Sequence, residues 1–339
     1  MCSGKKKLLT IVVVFVACFS SVTQGAVSHR PIDWKGKYRS TGMKDIKVTV
    51  AAMNSILIDP NENLKKVEKA AKQAHRDGAR ILLLPECMLS GHGGHRKSME
   101  KNSEPVPEGP MSRAVLEMSK KYNLCICVGI NERASGVIYN SIMVADKGRF
   151  CGVQRKINLS SDERRFFADG NTVMVFDIGD IRFGITICYD SNFPEIALIH
   201  KLHDVDLILS AHASRTGIWP EPLTAEFCAE KIENEWKKCE KLYRGTAYFY
   251  NVYILSTNAV GSATEGIEGV VSNHAGTVFG VDPHGDVILR TSAKDQIIEE
   301  IRTVELKAAK RKFNHHPTRN RDWMKVKTLL NKHLTEAGY

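Results

Sequence analysis

One strand–helix–strand pattern recurs along this chain and narrows its architecture more than any other feature. IKVTVAAM at 46–53 reads as a strand, and Asp59 to Asn61 carry a helix-start signal. Leu64, Val67, Ala71 and Ala74 then recur at helical spacing until Gly78 stops the helix. ARILLLP follows at 79–85 as a continuous apolar run, the pattern of a strand covered on both faces. The theme returns with a helix over Met111 to Lys121 leading into LCICVGI. Hairpins are predicted about Lys147-Gly148, joining VIYNSIMVA to RFCGVQ, and about Gly179-Asp180, joining TVMVFDI to IRFGITI. Beyond Cys188 the pattern gives a helix over Pro194 to Leu202, the strand VDLILS and a long helix from about Pro222 to Tyr250. VYILSTNAV, GTVFGVD, DVILR and IIEEIRTVEL complete the strands. Hairpins alternating with helices imply an α/β fold whose sheet is mixed. Nothing resembling a linker divides it, so one large domain is expected over 45–318, with a C-terminal extension at 319–339.

The two ends of the chain differ from this core. Lys5, Lys6 and Lys7 precede the apolar run LLTIVVVFVACF, and small or polar residues follow in SSVTQGA. That layout predicts a signal peptide over 1–25, cleaved near Gly25 or Ala26, then an irregular arm over 26–44. Export to the periplasm or medium follows, with a lipid anchor on Cys18 in Phe15-Val16-Ala17-Cys18 as the alternative. The apolar run is too short for a span, which needs about 20 residues, and no further long apolar segment exists, so no stable membrane span is expected. The formal net charge of +10 falls to +7 without Lys5, Lys6 and Lys7. The remaining cations are interleaved with acids, as in KKVEKAAKQAHRD, which describes a solvated helix face and excludes a nucleic-acid patch. Removing Cys2 and Cys18 from nine cysteines leaves seven, so at least one thiol lacks an intramolecular partner. Cys125 and Cys127 are spaced as same-face strand neighbours, while Cys228 and Cys239 either bridge or line a helix.

Three reactive side chains each follow an apolar strand: Glu86 after ILLLP, Lys156 after GVQR and Cys188 after GITI. Strand carboxyl ends are where α/β sheets gather ligands. Together the three types form a working set. A thiol is mostly protonated at neutral pH, a carboxylate can take its proton, and an ammonium favours the thiolate and an oxyanion. Alternation in IRFGITIC puts Ile181, Phe183, Ile185 and Ile187 on one face and Cys188 on the other, where Gly184 and Thr186 would leave room for a substrate. Singly, each has a plainer reading: a core cysteine, a solvated lysine, a turn-capping glutamate.

The surrounding motifs decide between these readings. LLLPE at 82–86, RKINL at 155–159 with ERRFFADG at 163–170, and CYDSNFPE at 188–195 resemble the three signature blocks of the nitrilase superfamily of carbon–nitrogen hydrolases. The likeness covers residues 46 to 310, supported by IKVTVAAMNS, RGTAYFYNVYILSTNAVG and HAGTVFGVDPHGDVI. It implies a four-layer α–β–β–α sandwich with two mixed β-sheets and a catalytic set of Glu86, Lys156 and Cys188. It also implies a second glutamate at Glu163, a binding role for the Tyr189 backbone N–H, a small-molecule amide substrate, and a homodimer or higher homo-oligomer. No metal or organic cofactor is implied. Tyr189-Asp190 resembles amidases and carbamoyl hydrolases, where nitrilases usually carry Trp-Glu. Nitrile hydrolysis, acyl transfer and an inactive binding protein of the same fold are the alternatives.

Three departures from the common pattern bear on the substrate. Asn158 stands where relatives often have His, Gly91-His92 replaces a glycine–aromatic pair, and residues 222–243 look longer and more charged than usual. The rival chemistry is a metal site. Cys87, His92 and His95, with His315 and His316 near the end, match no established zinc spacing. A serine hydrolase is disfavoured because no G-x-S-x-G elbow occurs.

Overall fold

A computed structural model describes residues 42–55, 59–92, 96–264, 271–311 and 323–337. The leader, Cys18, most of the arm, His95, His315 and His316 lie outside the described residues. In chain order the first half comprises β1 (Ile46–Ala52), α1 (Pro60–Arg76), β2 (Ile81–Leu83), α2 (Arg96–Lys101), α3 (Pro110–Lys121), β3 (Cys125–Ala134), β4 (Val137–Asp146) and β5 (Arg149–Arg155). The second half adds β6 (Val175–Asp177), β7 (Arg182–Ile187), α4 (Pro194–Leu202), β8 (Leu207–His212), α5 (Ala225–Tyr250) and β9 (Tyr253–Asn258). It ends with β10 (Val260–Thr264), β11 (Val271–Ala275), β12 (Val278–Val281), β13 (Val287–Arg290), β14 (Glu300–Leu306) and α6 (Trp323–Glu336).

Local chemistry accounts for the elements. Asp59 caps α1 by accepting from Glu62 N–H, and Pro60 occupies the first helical position, where its missing N–H costs nothing. In β3 the alternation is strict. Cys125 and Cys127 enter one core, while Leu124, Ile126, Val128 and Ile130 enter another. The first core lies between two six-stranded sheets, ordered β14-β1-β2-β3-β4-β5 and β13-β12-β9-β8-β7-β6. The second lies between the first sheet and α1 with α3, and a third between the other sheet and α4 with α5. These are the four layers α–β–β–α. Strands β1, β2, β3, β8 and β9 each feed both a sheet–sheet and a sheet–helix core, which explains why β2 reads as an unbroken apolar run.

Both sheets are mixed, and they share one plan. Reading β14-β1-β2-β3-β4-β5 against β6-β7-β8-β9-β12-β13 gives the same succession of pairings: antiparallel, parallel, parallel, antiparallel, antiparallel. The parallel strands β2 and β8 therefore occupy matching places, and the segments that leave them meet at the site.

One expectation is corrected, and one left open is decided. VYILSTNAV is not one strand. It ends at Asn258, and Val260 opens β10, which pairs only with β11 in a separate hairpin. VGSAT and VSNHA lack the apolar alternation that marks a core strand, so no signal announced them. All seven described cysteines are free, and Cys228 and Cys239 both sit buried along α5 without a bridge. No described helix is long and apolar enough to cross a membrane.

Candidate active site

The chain places Glu86, Lys156, Glu163 and Cys188 around one cavity of about 510 Å³, although they stand far apart in sequence. Glu86 leaves β2 in a segment that crosses β3 closely. A Cβ at Gly129 would lie 2.2 Å from Cys87 N and 2.5 Å from Pro85 O, so only glycine admits this path. Cys87 adopts φ +51°, a conformation that few side-chain-bearing residues take. Lys156 leaves β5, where its N–H donates to Asn140 O at 2.8 Å and its carbonyl accepts from Gly170 N at 2.7 Å.

Lys156 is almost fully buried, and its ammonium joins the two carboxylates. Nζ donates to Glu86 Oε1 at 2.8 Å and lies 2.8 and 2.7 Å from the two oxygens of Glu163. Asn140 makes the same bridge with a neutral group, Nδ2 donating to Glu86 Oε1 at 2.7 Å and to Glu163 Oε1 at 2.9 Å. Glu163 Oε2 accepts from Ser160 N–H and Oγ at 2.9 and 2.8 Å, and His92 Nε2 stands 3.9 Å from Oε1. Burial pushes the Glu163 carboxyl up, but His92 and Lys156 outweigh it and hold the group well below the usual carboxylate range. Burial works against the Lys156 charge, yet Glu86, Cys188 and Glu163 keep it firmly ammonium.

Cys188 ends β7 with φ +47°, and this left-handed turn breaks the strand's alternation. The sulfur consequently packs toward the core between the sheets and lines the cavity. Gly184, expected to share its face and leave space, instead makes room for α4. A Cβ there would meet the His200 ring at 2.4 Å. Thr186 is likewise occupied, bonded to Ser210 Oγ at 2.9 Å. Burial and the charge of Glu86 push the Cys188 thiol up to about 11, outweighing the opposing pull of Lys156. At rest Cys188 is therefore a thiol beside a carboxylate, not a preformed thiolate.

Asp190 fastens the Lys156 and Cys188 segments together. Its carboxylate accepts from Asn158 N–H at 2.7 Å, Asn158 Nδ2 at 3.1 Å, and the N–H groups of Ile157 and Ile187 at 3.3 Å each. Burial raises this carboxyl to about 6 despite those bonds. The Asn158 side chain thus has a structural task. Tyr189 follows Cys188 in the turn Cys188–Asn192, its ring exposed and edge-on to Phe193 rather than lining the cavity.

A carbon-nitrogen hydrolase profile matches residues 47–311. This chain belongs to the carbon-nitrogen hydrolase family. A nitrilase from Pyrococcus abyssi is 33% identical over 165 residues, spanning 48% of this chain and 63% of the relative, so less than two thirds of that protein is covered. A citrullinase from Francisella tularensis subsp. tularensis is 28% identical over 254 residues, 73% of this chain and 84% of the relative. A CN-hydrolase superfamily protein from Xanthomonas campestris superposes with a TM-score of 0.64 at 18% identity, covering 79% of this chain and 93% of its own. That likeness establishes the shared fold.

Within this family fold, several site residues escaped the sequence reading. Asn140 is a polar residue buried inside β4, and Ser272 and Asn273 of β11 line the cavity. Arg215, His212 and Trp219 read from sequence as either entrance or surface-packing residues: Arg215 lines the cavity 3.3 Å from His92 of the expected rim segment, whereas His212 is buried against Ser210 and Tyr243, and Trp219 bonds Thr216. Of the metal candidates, His92 converges with Glu86 and Glu163, while Cys87 points to Asn140. The Lys156 ammonium already supplies a positive charge between those two carboxylates.

Proposed function

We propose that this chain hydrolyses the carbon–nitrogen bond of a small linear amide or N-carbamoyl amine through a thioester on Cys188. The observation that carries the reading is the convergence of Cys188, Glu86 and Lys156 on one cavity of small-molecule size. Glu86 takes the thiol proton as the sulfur attacks the carbonyl carbon. Lys156 and the Tyr189 N–H support the oxyanion. Collapse of the adduct expels the amine, which receives the proton from Glu86, and leaves the acyl group on sulfur. Water then attacks the thioester with Glu86 again as base, releasing the acid and the thiol. Glu163 and Asn140 hold Lys156 and Glu86 in place.

The Tyr189-Asp190 pair and the likeness to a protein named citrullinase both favour amides and ureido groups over nitriles. Ammonia release from panels of amides, N-carbamoyl amines and nitriles tests this, with mass spectrometry of the trapped acyl-enzyme. Full turnover by Cys188→Ala would overturn the mechanism; exclusive turnover of nitriles would overturn the substrate class. Export and homo-oligomer formation are further proposals from the sequence, tested by N-terminal sequencing of the mature chain and by light scattering.

A further inference from the structure

Helix α5 runs for 26 residues, and one of its lysines reaches the wall beside Cys188. Lys238 Nζ donates to Ser214 Oγ at 2.9 Å, and Ser214 Oγ lies 3.5 Å from Cys188 Sγ. A closed ring of polar groups holds this contact. Ser214 N–H donates to Asn258 Oδ1 at 2.9 Å, Asn258 Nδ2 donates to Glu235 Oε2 at 3.2 Å, and that oxygen lies 3.6 Å from Lys238 Nζ. Ser214 lines the cavity, whereas Lys238, Glu235 and Asn258 do not. Lys238 thus reaches the sulfur only through the serine.

The chemistry of the three groups gives the contact a direction. An ammonium has no lone pair, so Ser214 Oγ accepts from Lys238 and keeps its own hydrogen for another partner. A thiolate has no hydrogen, so it accepts from Ser214. Each bond polarises the next, and the chain is best satisfied when the sulfur is negative. Burial and Glu86 raise the thiol, while Lys156, Ser214 and Lys238 all act in the opposite direction.

We propose that Lys238, acting through Ser214, is a positioning residue that supports negative charge on the Cys188 sulfur independently of Lys156. The proposal rests on Cys188 being the nucleophile. No proton travels along the relay: the thiol hydrogen goes to Glu86, Ser214 keeps its own, and Lys238 stays charged. The other titratable groups facing this assembly are Glu86, Lys156, Cys87, His212, Tyr243, Cys239 and Glu235. Burial keeps Cys87, Tyr243 and Cys239 protonated and His212 neutral, so Lys156 and Lys238 are the cations, set against Glu86 beside the sulfur and Glu235 beside Lys238.

The test is the pH profile of Cys188 alkylation by iodoacetamide, read by peptide mass spectrometry in the full chain. Lys238→Met and Ser214→Ala should each slow labelling about tenfold near about pH 8 and displace the profile to higher pH. Lys238→Arg should restore most of the rate. The double variant should label no slower than Ser214→Ala alone, because both changes cut one relay. With an amide substrate, kcat should fall while KM holds. A wild-type profile in Lys238→Met, or fully multiplicative effects in the double variant, overturns the relay alone. A wild-type Cys188 that labels no faster than the other thiols overturns the nucleophile assignment, and the relay with it.

Discussion

The backbone N–H of Ala213 donates to Glu86 Oε2 at 2.6 Å, tying the segment after β8 to the segment after β2. The other oxygen, Oε1, is taken by Lys156 and Asn140. The carboxylate is therefore fixed from both sheets before any substrate arrives, which is the preorganisation that general-base catalysis needs.

Glu86→Gln is expected to lose activity by roughly 10²- to 10⁴-fold, the usual worth of a positioned acid–base group. The amide offers one oxygen where the carboxylate offers two, so either Ala213 loses its acceptor or Lys156 and Asn140 both do. Steady-state kinetics and denaturant unfolding of the same preparation check both effects.

Lys156→Met removes the cation between two buried carboxylates. Breaking such a pair by deleting one partner costs about 3–5 kcal/mol. Turnover should vanish, and the loss of stability should show as a lower denaturant midpoint. Adding Glu163→Leu should recover part of the stability and none of the activity. Recovery of turnover in that double variant would contradict the role given to Lys156.

Gly129→Ala drives a methyl group into the backbone of Pro85 to Cys87. Overpacking of this kind costs about 1–3 kcal/mol. Because the displaced segment carries Glu86, kcat should drop further than the change in stability predicts. A variant that melts lower yet keeps full kcat would show that the crossing does not aim the carboxylate.

Stability should fall on acidification below about pH 6.5. His200 and His274 are pushed down to about 4 by burial, and His212 is pushed down as well, so the unfolded chain gains three histidine protons that the folded one lacks between about pH 4 and 6.5. Asp190, raised to about 6 by burial, works the other way, since the folded chain holds its proton up to that pH. Three histidine protons against Asp190 and the upward-shifted Glu235 leave stability rising with pH across the window, by about 1.4 kcal/mol per pH unit for each net proton. Unfolding midpoints at stepped pH measure the slope. His274→Asn should flatten it, whereas Asp190→Asn should steepen it.

The strands were legible because β1, β2, β3, β8 and β9 alternate between two cores, and alternation is printed directly in sequence, whereas their stacking into four layers was implied by the family resemblance. The positions of Glu86, Lys156 and Cys188 were legible because each ends a recognisable strand. The direction of the Cys188 side chain was not, since its left-handed φ belongs to the turn and overrides strand parity. Glu163 was legible through the resemblance of ERRFFADG, and its carboxylate accepts from the N–H and hydroxyl of Ser160 while its own N–H donates to the Ser160 carbonyl. Asn140 had none: a polar residue in a strand looks solvent-facing until the partners that bury it are known. Ser214, Asn258, Glu235 and Lys238 meet only through tertiary folding, from segments with no motif of their own.

Glu86 and Lys156 leave one sheet while Cys188 and Ser214 leave the other. These groups therefore face each other across a seam of packed side chains and isolated hydrogen bonds, such as Ala213 N–H to Glu86 and Asn158 N–H to Asp190, with no shared ladder of backbone bonds to lock the alignment. A slight shear of one slab over its neighbour would part acid, base and sulfur while every strand stayed paired. Catalysis should accordingly fade on warming before the far-ultraviolet signal of the sheets begins to change.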